Sequence, residues 1–448
     1  MAYYAMLLPA YTGHVNPMIV LGRALQKRGH RVVMLSPLEA EEKLRRAGFE
    51  YIPVAAREFP AGEWSRLTAQ QAERIGWEAS WFVGRWLGRF VRGILQELPA
   101  IAQRERFDGL VMDQISCGTE SVCEVVGVPL AVACCALMGH AESTVPPIVF
   151  SWPPRTSLPC RVRNVFGQMR LNATGWWVVQ ELMRYRLKHR LPYLTYTYGN
   201  ELPPSLVQVA QTPAFLDFPR RHLPEHFHYT GPWLESAGST NGEFPWHRLN
   251  GRPLIYASFG TLQNRLQHAF RLVAEACAGL EAQLVLTLGS KGAPLPDSLP
   301  GDPVVVDYAP QVALLRRARL VIGHGGLNTT LECLSEGLPL IALPITNDQP
   351  GVAARIAHFG VGEFIPIRKL TAAKLRQAIC RVLASPSYRQ RAENFAVELR
   401  KLDGPHRAAE LIEQAFTSRK KVKREVSPTV GVNTSNASRY AATRGGSR

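Results

Sequence analysis

The stretch RLVIGHGGLNTTLECLSEGLPLIALPI, residues 319–345, sets the architecture expected for the second half of the chain. An apolar run at 319–322 precedes a glycine-rich turn and a helix predicted to begin near Asn328, and another apolar run follows at 338–345. Short apolar runs bounded by glycine are typical of buried parallel strands. The order strand, helix, strand therefore predicts a βαβ unit.

The same alternation recurs along the chain. In the first half, apolar runs at 4–10, 31–36, 109–113 and 129–136 are separated by helical patterns, and six more runs lie between 253 and 367. Repeated strand and helix order favours parallel sheets covered by helices on both faces. The pattern predicts an α/β protein with two doubly wound domains.

The chain is too long for one ordinary core, since single cores stop growing at about 250–300 residues. A segment rich in Pro, His and Gly suggests a linker between the two predicted domains. The predicted division is a first domain at 1–217, a linker at 218–252, a second domain with a terminal helix at 253–417, and a disordered basic tail at 418–448.

The chain is basic, with 52 Lys and Arg against 36 Asp and Glu. Part of the excess lies in the tail, and no groove-reading motif is present, so no nucleic-acid partner is expected. The eight cysteines form no CxxC pair, and neither a signal peptide nor a membrane span is recognisable. We expect a cytoplasmic protein, with peripheral contact to the inner face of a membrane as an open alternative.

The glycine-rich turn at 323–327 is suited to an anion. Unpaired N–H groups at a helix N-terminus carry partial positive charge, and glycine lets a phosphate approach the backbone. His324 would add a hydrogen-bond donor. Neither GxGxxG nor GxxxxGK[ST] occurs here, and a tight turn before a capped helix remains the alternative interpretation.

His14 and Asp113 are the candidate acid-base pair. His14 follows the first predicted strand and Asp113 ends the strand GLVMD, and ligands of open α/β sheets bind outside these carboxyl ends. Histidine suits the removal of a proton from a hydroxyl at neutral pH, and a carboxylate would orient it. Alternatively, His14 bonds only to backbone and Asp113 caps a turn.

Two aromatic stretches, 77–95 and 175–198, combine Trp, Phe and Leu with arginines. Core-facing helices are one interpretation. The other is a greasy acceptor pocket or a lip that faces a membrane.

Residues 307–356 resemble the nucleotide-sugar signature of the UDP-glycosyltransferase superfamily. That signature has an aromatic residue before PQ, then HxG, N[ST], a Glu, G.P and finally DQ, and all these parts are present. The loop at 11–17 is similar to the catalytic GHxNP loop of the family, and 256–261 is similar to its phosphate-contacting turn. The resemblance implies a GT-B fold, in which two Rossmann-like domains face a cleft, and inverting sugar transfer.

The resemblance also implies roles for individual residues. His14 would be the base, with Asp113 on its far nitrogen. The implied donor-binding residues are Tyr308 and Gln311 beside the uracil, Glu332 on the ribose, Ser258, Thr261, His324, Gly326, Asn328 and Thr329 around the diphosphate, and Asp348 and Gln349 on the sugar hydroxyls.

Tyr308, where plant members usually have Trp, favours the bacterial branch, and the chain is similar to zeaxanthin (carotenoid) glucosyltransferases and macrolide glycosyltransferases. The resemblance implies UDP-glucose as co-substrate, no cofactor, and a lipophilic hydroxyl-bearing acceptor such as zeaxanthin. No DxD motif occurs, so no metal is expected. A macrolide, sterol or phenol as acceptor, or a catalytically silent nucleotide-sugar-binding partner, remains an alternative.

Overall fold

The first half of the chain forms a parallel sheet, in a computed structural model that describes residues 1–192, 205–235, 244–262, 266–289 and 298–424. Its strands are β1 (Tyr3–Leu7), β2 (Arg31–Ser36), β3 (Glu50–Pro53), β4 (Gly109–Asp113), β5 (Leu130–Cys134), β6 (Ser205–Ala210) and β7 (Phe227–Tyr229). Their order is β3-β2-β1-β4-β5-β6-β7, and every pairing is parallel. The order reverses between β1 and β4.

The second half forms another parallel sheet. Its strands are β8 (Leu254–Ser258), β9 (Gln283–Thr287), β10 (Val304–Val306), β11 (Ala318–Gly323), β12 (Leu340–Ala342) and β13 (Gly362–Phe364). The order is β10-β9-β8-β11-β12-β13, again parallel throughout, and it reverses between β8 and β11. The prediction of two doubly wound α/β domains is confirmed.

Helices cover both sheets. In the first half they are α1 (Thr12–Lys27), α2 (Glu41–Arg46), α3 (Glu63–Gln71), α4 (Gly76–Glu105), α5 (Thr119–Val126), α6 (Leu158–Thr174) and α7 (Trp176–Lys188). In the second half they are α8 (Gln267–Cys277), α9 (Gln311–Leu315), α10 (Leu327–Ser335), α11 (Gln349–His358), α12 (Ala372–Ala384), α13 (Pro386–Leu399) and α14 (Gly404–Ser418).

Each sheet separates two apolar cores because successive strand residues point to opposite faces. Along β1, Ala5 and Leu7 join the core under α4, whereas Tyr4 and Met6 join the core under α1 and α14. The strands read as continuous apolar runs because both faces are covered. The carboxyl ends of the strands are thereby left as the surface on which a site can form.

The structure differs from the predicted domain boundaries in two places. β7 pairs with β6, so the first sheet extends beyond 217 into the segment predicted as a linker. The terminal helix α14, assigned by sequence to the second domain, instead packs against α1 and the first sheet, where Phe416 meets Tyr4 with ring centroids 5.1 Å apart. An amphipathic pattern shows that a helix buries one face and does not show against which sheet.

The start of the predicted basic tail also differs. Ser418 still belongs to α14, and the N–H of Val422 donates a hydrogen bond to the carbonyl of Leu206 at 2.9 Å. Val422 is buried, because its apolar side chain packs into the core beneath α14. Residues 425–448 of the predicted tail and 236–243 of the predicted linker lie outside the described residues. Within the described parts of the chain, no helix is long and apolar enough to cross a membrane.

Candidate active site

A cleft lies between the two sheets, at the carboxyl ends of their strands. It encloses a cavity of about 530 Å³, which both domains line. The loops after β1 and β4 meet it from one side, and those after β8 and β11 meet it from the other. These are the points where strand order reverses in each sheet, the usual position of ligands in open α/β folds.

His14 lines this cleft, and Asp113 lies directly behind it. Nδ1 of His14 is 2.8 Å from Oδ2 of Asp113, which is fully buried. Oδ1 of Asp113 accepts a hydrogen bond from the N–H of Ile115 at 3.0 Å, which fixes the carboxylate. With Nδ1–H donating to Asp113, Nε2 of His14 is the unprotonated atom and can accept a proton.

Burial and Asp113 act on the pKa of His14 in opposite directions. Burial alone would lower the pKa of His14, but the negative charge of Asp113 and its hydrogen bond outweigh burial and raise it. Asp348, from the second domain, acts in the same direction. An imidazolium formed at His14 during a reaction is therefore stabilised where it forms.

The helix that carries His14 begins two residues before it. α1 starts at Thr12 with Tyr11 at the N-cap position and without a side-chain cap. His14 consequently lies in the first helical turn and not in a loop. A helix holds its imidazole more firmly than a loop would.

Cys135 was missed by the sequence-based prediction. Its fully buried thiol donates a hydrogen bond to the carboxylate of Asp113. Burial and the negative charge of that carboxylate raise the pKa of Cys135 well above its ordinary value. The thiol therefore stays protonated beside the carboxylate. The sequence signal was only a cysteine directly after the strand that neighbours GLVMD.

The glycine-rich turn forms a cradle at the start of α10. Gly325 has φ +78°, a conformation that favours glycine, and Gly326 is the N-cap. The imidazole of His324 lies between Gly326 and Gly260: a Cβ on Gly326 would overlap Nε2, and one on Gly260 would come within 2.7 Å of Cε1. Burial lowers the pKa of His324 to about 4, so the ring is neutral.

Asn328 contacts the first domain. Its Nδ2 donates a hydrogen bond to the carbonyl of Gly13 at 2.8 Å, and its Oδ1 accepts one from Nε2 of Gln211 at 2.7 Å. Gln211 also donates to the carbonyl of Cys135. The first turn of α10 is thereby joined to the first turn of α1, which carries His14. Gln211 is a second residue that the sequence did not single out.

The residues predicted to bind the uracil and the ribose of the donor lie together at one end of the cleft. Nε2 of Gln311 donates a hydrogen bond to Glu332, and the hydroxyl of Tyr256 donates to Oε1 of Gln311 at 3.0 Å. Burial raises the pKa of Glu332. The ring of Tyr308 is 51% exposed and offers a face on which a planar base can stack.

Asp348 and Gln349, the residues predicted to bind the sugar hydroxyls, accept hydrogen bonds from backbone N–H groups of the protein. Oδ2 of Asp348 accepts a hydrogen bond from the N–H of Leu137 at 3.0 Å, and burial raises the pKa of Asp348. Oε1 of Gln349 accepts from the N–H groups of Ile345 at 2.9 Å and Thr346 at 3.1 Å. Both side chains line the cleft, and the carbonyl of Gln349 orders the loop that leads into α11.

The remaining predicted diphosphate residues also line the cleft. These are Ser258, Thr261 and Thr329. Oγ of Ser258 accepts a hydrogen bond from the N–H of Gly260 at 3.3 Å, which shapes the turn after β8. His14 and all the predicted donor-binding residues thus line one cleft, with Asp113 buried behind His14, and their individual roles in binding remain predictions.

The fold and cleft define a two-domain transferase of the GT-B type, and comparison gives the family. Residues 94–402 match the family described as UDP-glucoronosyl and UDP-glucosyl transferase, and the chain belongs to that family. The predicted membership and the predicted enzyme class are both confirmed.

Individual relatives resemble nearly the whole chain. Zeaxanthin glucosyltransferase of Pantoea ananas is 28% identical, covering 93% of this chain and 96% of its own. Zeaxanthin glucosyltransferase of Pseudescherichia vulneris is 29% identical, covering 94% of this chain and 100% of its own. Among solved structures, the glycosyltransferase of kitacinnamycin superposes with a TM-score of 0.71 at 23% identity, covering 93% of this chain and 99% of that one, which supports the GT-B fold.

Proposed function

We propose that the protein transfers a glucosyl group from UDP-glucose to a hydroxyl of a lipophilic acceptor, with inversion at the anomeric carbon. The acceptor proposed is a carotenoid such as zeaxanthin. The observation that carries this proposal is that His14, paired with Asp113, lines the same cleft as the helix N-terminus of α10.

In this reaction, Nε2 of His14 removes the proton of the acceptor hydroxyl as its oxygen attacks the anomeric carbon. The bond from that carbon to the diphosphate oxygen breaks, and the electron pair leaves with UDP. Asp113 stabilises the imidazolium, which later releases the proton to solvent. The N–H groups at the start of α10 and neutral His324 stabilise the departing diphosphate with dipoles already in place. The chemistry needs no cofactor and no metal ion.

The acceptor side of the cleft supports a lipophilic molecule. Its lining includes the apolar residues Val83, Leu87, Leu137, Ile148, Leu171 and Val178. A carotenoid is much longer than this cavity, so its hydroxylated end ring would enter while the polyene extends outward. The similarity to two zeaxanthin glucosyltransferases supports the same acceptor.

The test is mass spectrometry of products after the protein is incubated with UDP-glucose and, separately, zeaxanthin, a macrolide, a sterol and a simple phenol. A gain of one hexose on zeaxanthin, lost in His14→Ala and retained in His268→Ala, supports donor, acceptor and base together. His268 is the matched control because it is exposed on α8.

Other outcomes separate the parts of the proposal. Hexose on another acceptor alone would overturn the carotenoid assignment and keep the mechanism. If the protein binds UDP but modifies no acceptor, the same assay repeated with other UDP- and dTDP-sugars identifies a different donor, and failure with all of them indicates a silent binding protein.

A further inference from the structure

Helix α6 presents its apolar residues to solvent. The exposed set is Leu158 at 71%, Phe166 at 66%, Met169 at 61%, and Val162 and Val165 at 47% each. At about 100° per residue, these five positions span roughly 100° of the helix circumference, so they form one stripe. Trp176, at the start of α7, is also exposed, at 56%.

The opposite face of α6 is the one that packs against the protein. Its buried residues are Asn164, Gly167, Leu171 and Thr174, of which only one has a large apolar side chain. Asn164 donates a hydrogen bond to the carbonyl of Ser143 at 2.9 Å. A surface helix ordinarily buries its apolar stripe and exposes its polar one. The orientation of α6 is reversed, and a contiguous exposed apolar surface of this kind marks an interaction site.

Arginines border the stripe, and the segment that contains it has no acidic residue. Residues 143–180 contain Arg155, Arg161, Arg163 and Arg170 but neither Asp nor Glu. Arg161 lies along one edge of the stripe. On the other edge, Arg163 lies 4.4 Å above the ring of Trp152 and Arg170 lies 4.2 Å above that of Trp77, which holds both guanidinium groups in place.

We propose that this α6 face docks onto the surface of an anionic lipid bilayer. The apolar stripe enters the boundary between headgroups and acyl chains, and the bordering arginines meet the lipid phosphates. A second copy of the chain is a poorer occupant, because a two-fold contact through the stripe would bring the two sets of arginines together without any acidic partner.

The docking face lies beside the acceptor side of the cleft. Leu171 and Thr174, on the buried side of the same helix, line the cavity. One interpretation of the sequence made the aromatic stretch at 77–95 a lip that faces a membrane. In the structure this stretch belongs to α4 and is mostly buried, with Trp86, Leu87 and Phe90 in the core. The docking face does not depend on which acceptor the enzyme uses.

The test compares binding of the full chain to sucrose-loaded vesicles of phosphatidylcholine alone and of an equal mixture with phosphatidylglycerol. The protein is expected to sediment with the mixed vesicles. The triple variant Val165→Ser/Phe166→Ser/Met169→Ser should bind these vesicles more weakly, by about tenfold or more. The matched control is Leu383→Ser/Val397→Ser, which alters residues of the second domain exposed by 43% and 49% and should bind like the parent.

Every variant keeps the basic residues after Ser418, so any attraction they exert on the vesicles is common to all. Arg161→Glu/Arg170→Glu should remove the preference for phosphatidylglycerol. Circular dichroism and the thermal melting temperature check that each variant is folded. Equal binding by the triple variant, or no binding by the parent, overturns the proposal. A parent dimer that the triple variant converts to a monomer also overturns it and identifies the face as a contact between copies.

Discussion

Arg355 in α11 donates a hydrogen bond from Nε to Oδ1 of Asp217 at 3.0 Å, joining the two domains in the interior. The two side chains are 2% and 1% exposed. Asp217 also accepts hydrogen bonds from Arg220 and from the hydroxyl of Tyr229, each at 2.7 Å. Burial opposes ionisation, but Arg220 and Arg355 outweigh it and hold the pKa of Asp217 below its ordinary value. The ion pair fixes α11, which begins at Gln349, against the first domain.

Removing this carboxylate should destabilise the protein strongly. We expect Asp217→Ala to lower the free energy of unfolding by about 3–5 kcal/mol, because two buried guanidinium groups lose their counter-charge. The measurement is urea denaturation at neutral pH. Glu42→Ala is the control, since its ion pair with Arg46 is 74% and 78% exposed and should matter by about 1 kcal/mol or less. Equal effects of the two substitutions would contradict the prediction.

The same ion pair predicts a pH dependence. The folded-state pKa of Asp217 is depressed, so its contribution is fully present above the unfolded-state value of about 3.9 and is lost as pH falls through the lower folded-state value. The difference in stability between the parent and Asp217→Ala should therefore be constant near neutral pH and shrink in strong acid. A difference that grows below pH 4 would show that another group is responsible.

Replacing Asp113 by asparagine should lower kcat/KM by about 10²–10⁴-fold, because the neutral amide does not stabilise the imidazolium and its NH2 group can donate to Nδ1, which favours the wrong tautomer of His14. The pH profile adds a second readout. Asp113 raises the pKa of His14, and the reaction needs the unprotonated ring, so the acidic limb of kcat/KM should move to lower pH in the variant. An unmoved limb would mean that another group titrates.

Gly326→Ala should weaken UDP binding by about tenfold, measured by calorimetry. Gly326 has φ −66°, which alanine tolerates, so the cause is not backbone strain but overlap of the new Cβ with the ring of His324. The loss should therefore disappear when the substitution is made in a His324→Ala background, since the two changes act through one contact. Additive losses would place the effect elsewhere.

Tyr308→Ala should raise the dissociation constant for UDP about tenfold or more, because the exposed ring would no longer stack on the base. Tyr308→Phe is the matched control, since it keeps the aromatic face. Fluorescence titration with UDP measures both. A similar loss in the two variants would assign the effect to the hydroxyl.

Transfer should continue in excess EDTA, with initial rates within about twofold of those with added Mg²⁺. The reason is that the N-terminus of α10 and His324 supply the stabilisation of the leaving diphosphate that a metal would otherwise provide. Inactivation by EDTA, restored by Mg²⁺ or Mn²⁺, would show that a bound cation takes part.

The strands were the most predictable part of this protein. The run GLVMD coincides with β4, because residues buried on both faces leave a continuous apolar signal. β6 was missed, since the buried polar residue Gln208 interrupts its apolar run. The local sequence pattern thus predicted a strand where its buried residues form an unbroken apolar run.

The candidate site was predictable in its residues and not in its contacts. His14 and Asp113 could be paired from sequence because both lie at the carboxyl ends of predicted strands, where ligands of open α/β sheets bind. The thiol of Cys135 beside Asp113, and the bond from Asn328 to Gly13, depend on how distant segments meet in space. Nothing in the local sequence reports such a meeting.

The packing of α14 against β1 governs the order in which the chain can fold during its synthesis. A ribosome makes the first sheet long before it makes Phe416, whose ring covers Gly109 so closely that a Cβ there would collide with it. Until α14 emerges, α1 alone covers Tyr4 and its neighbours, and the part of that core that α14 fills stays open. The domain that is made first is therefore the one that is completed last.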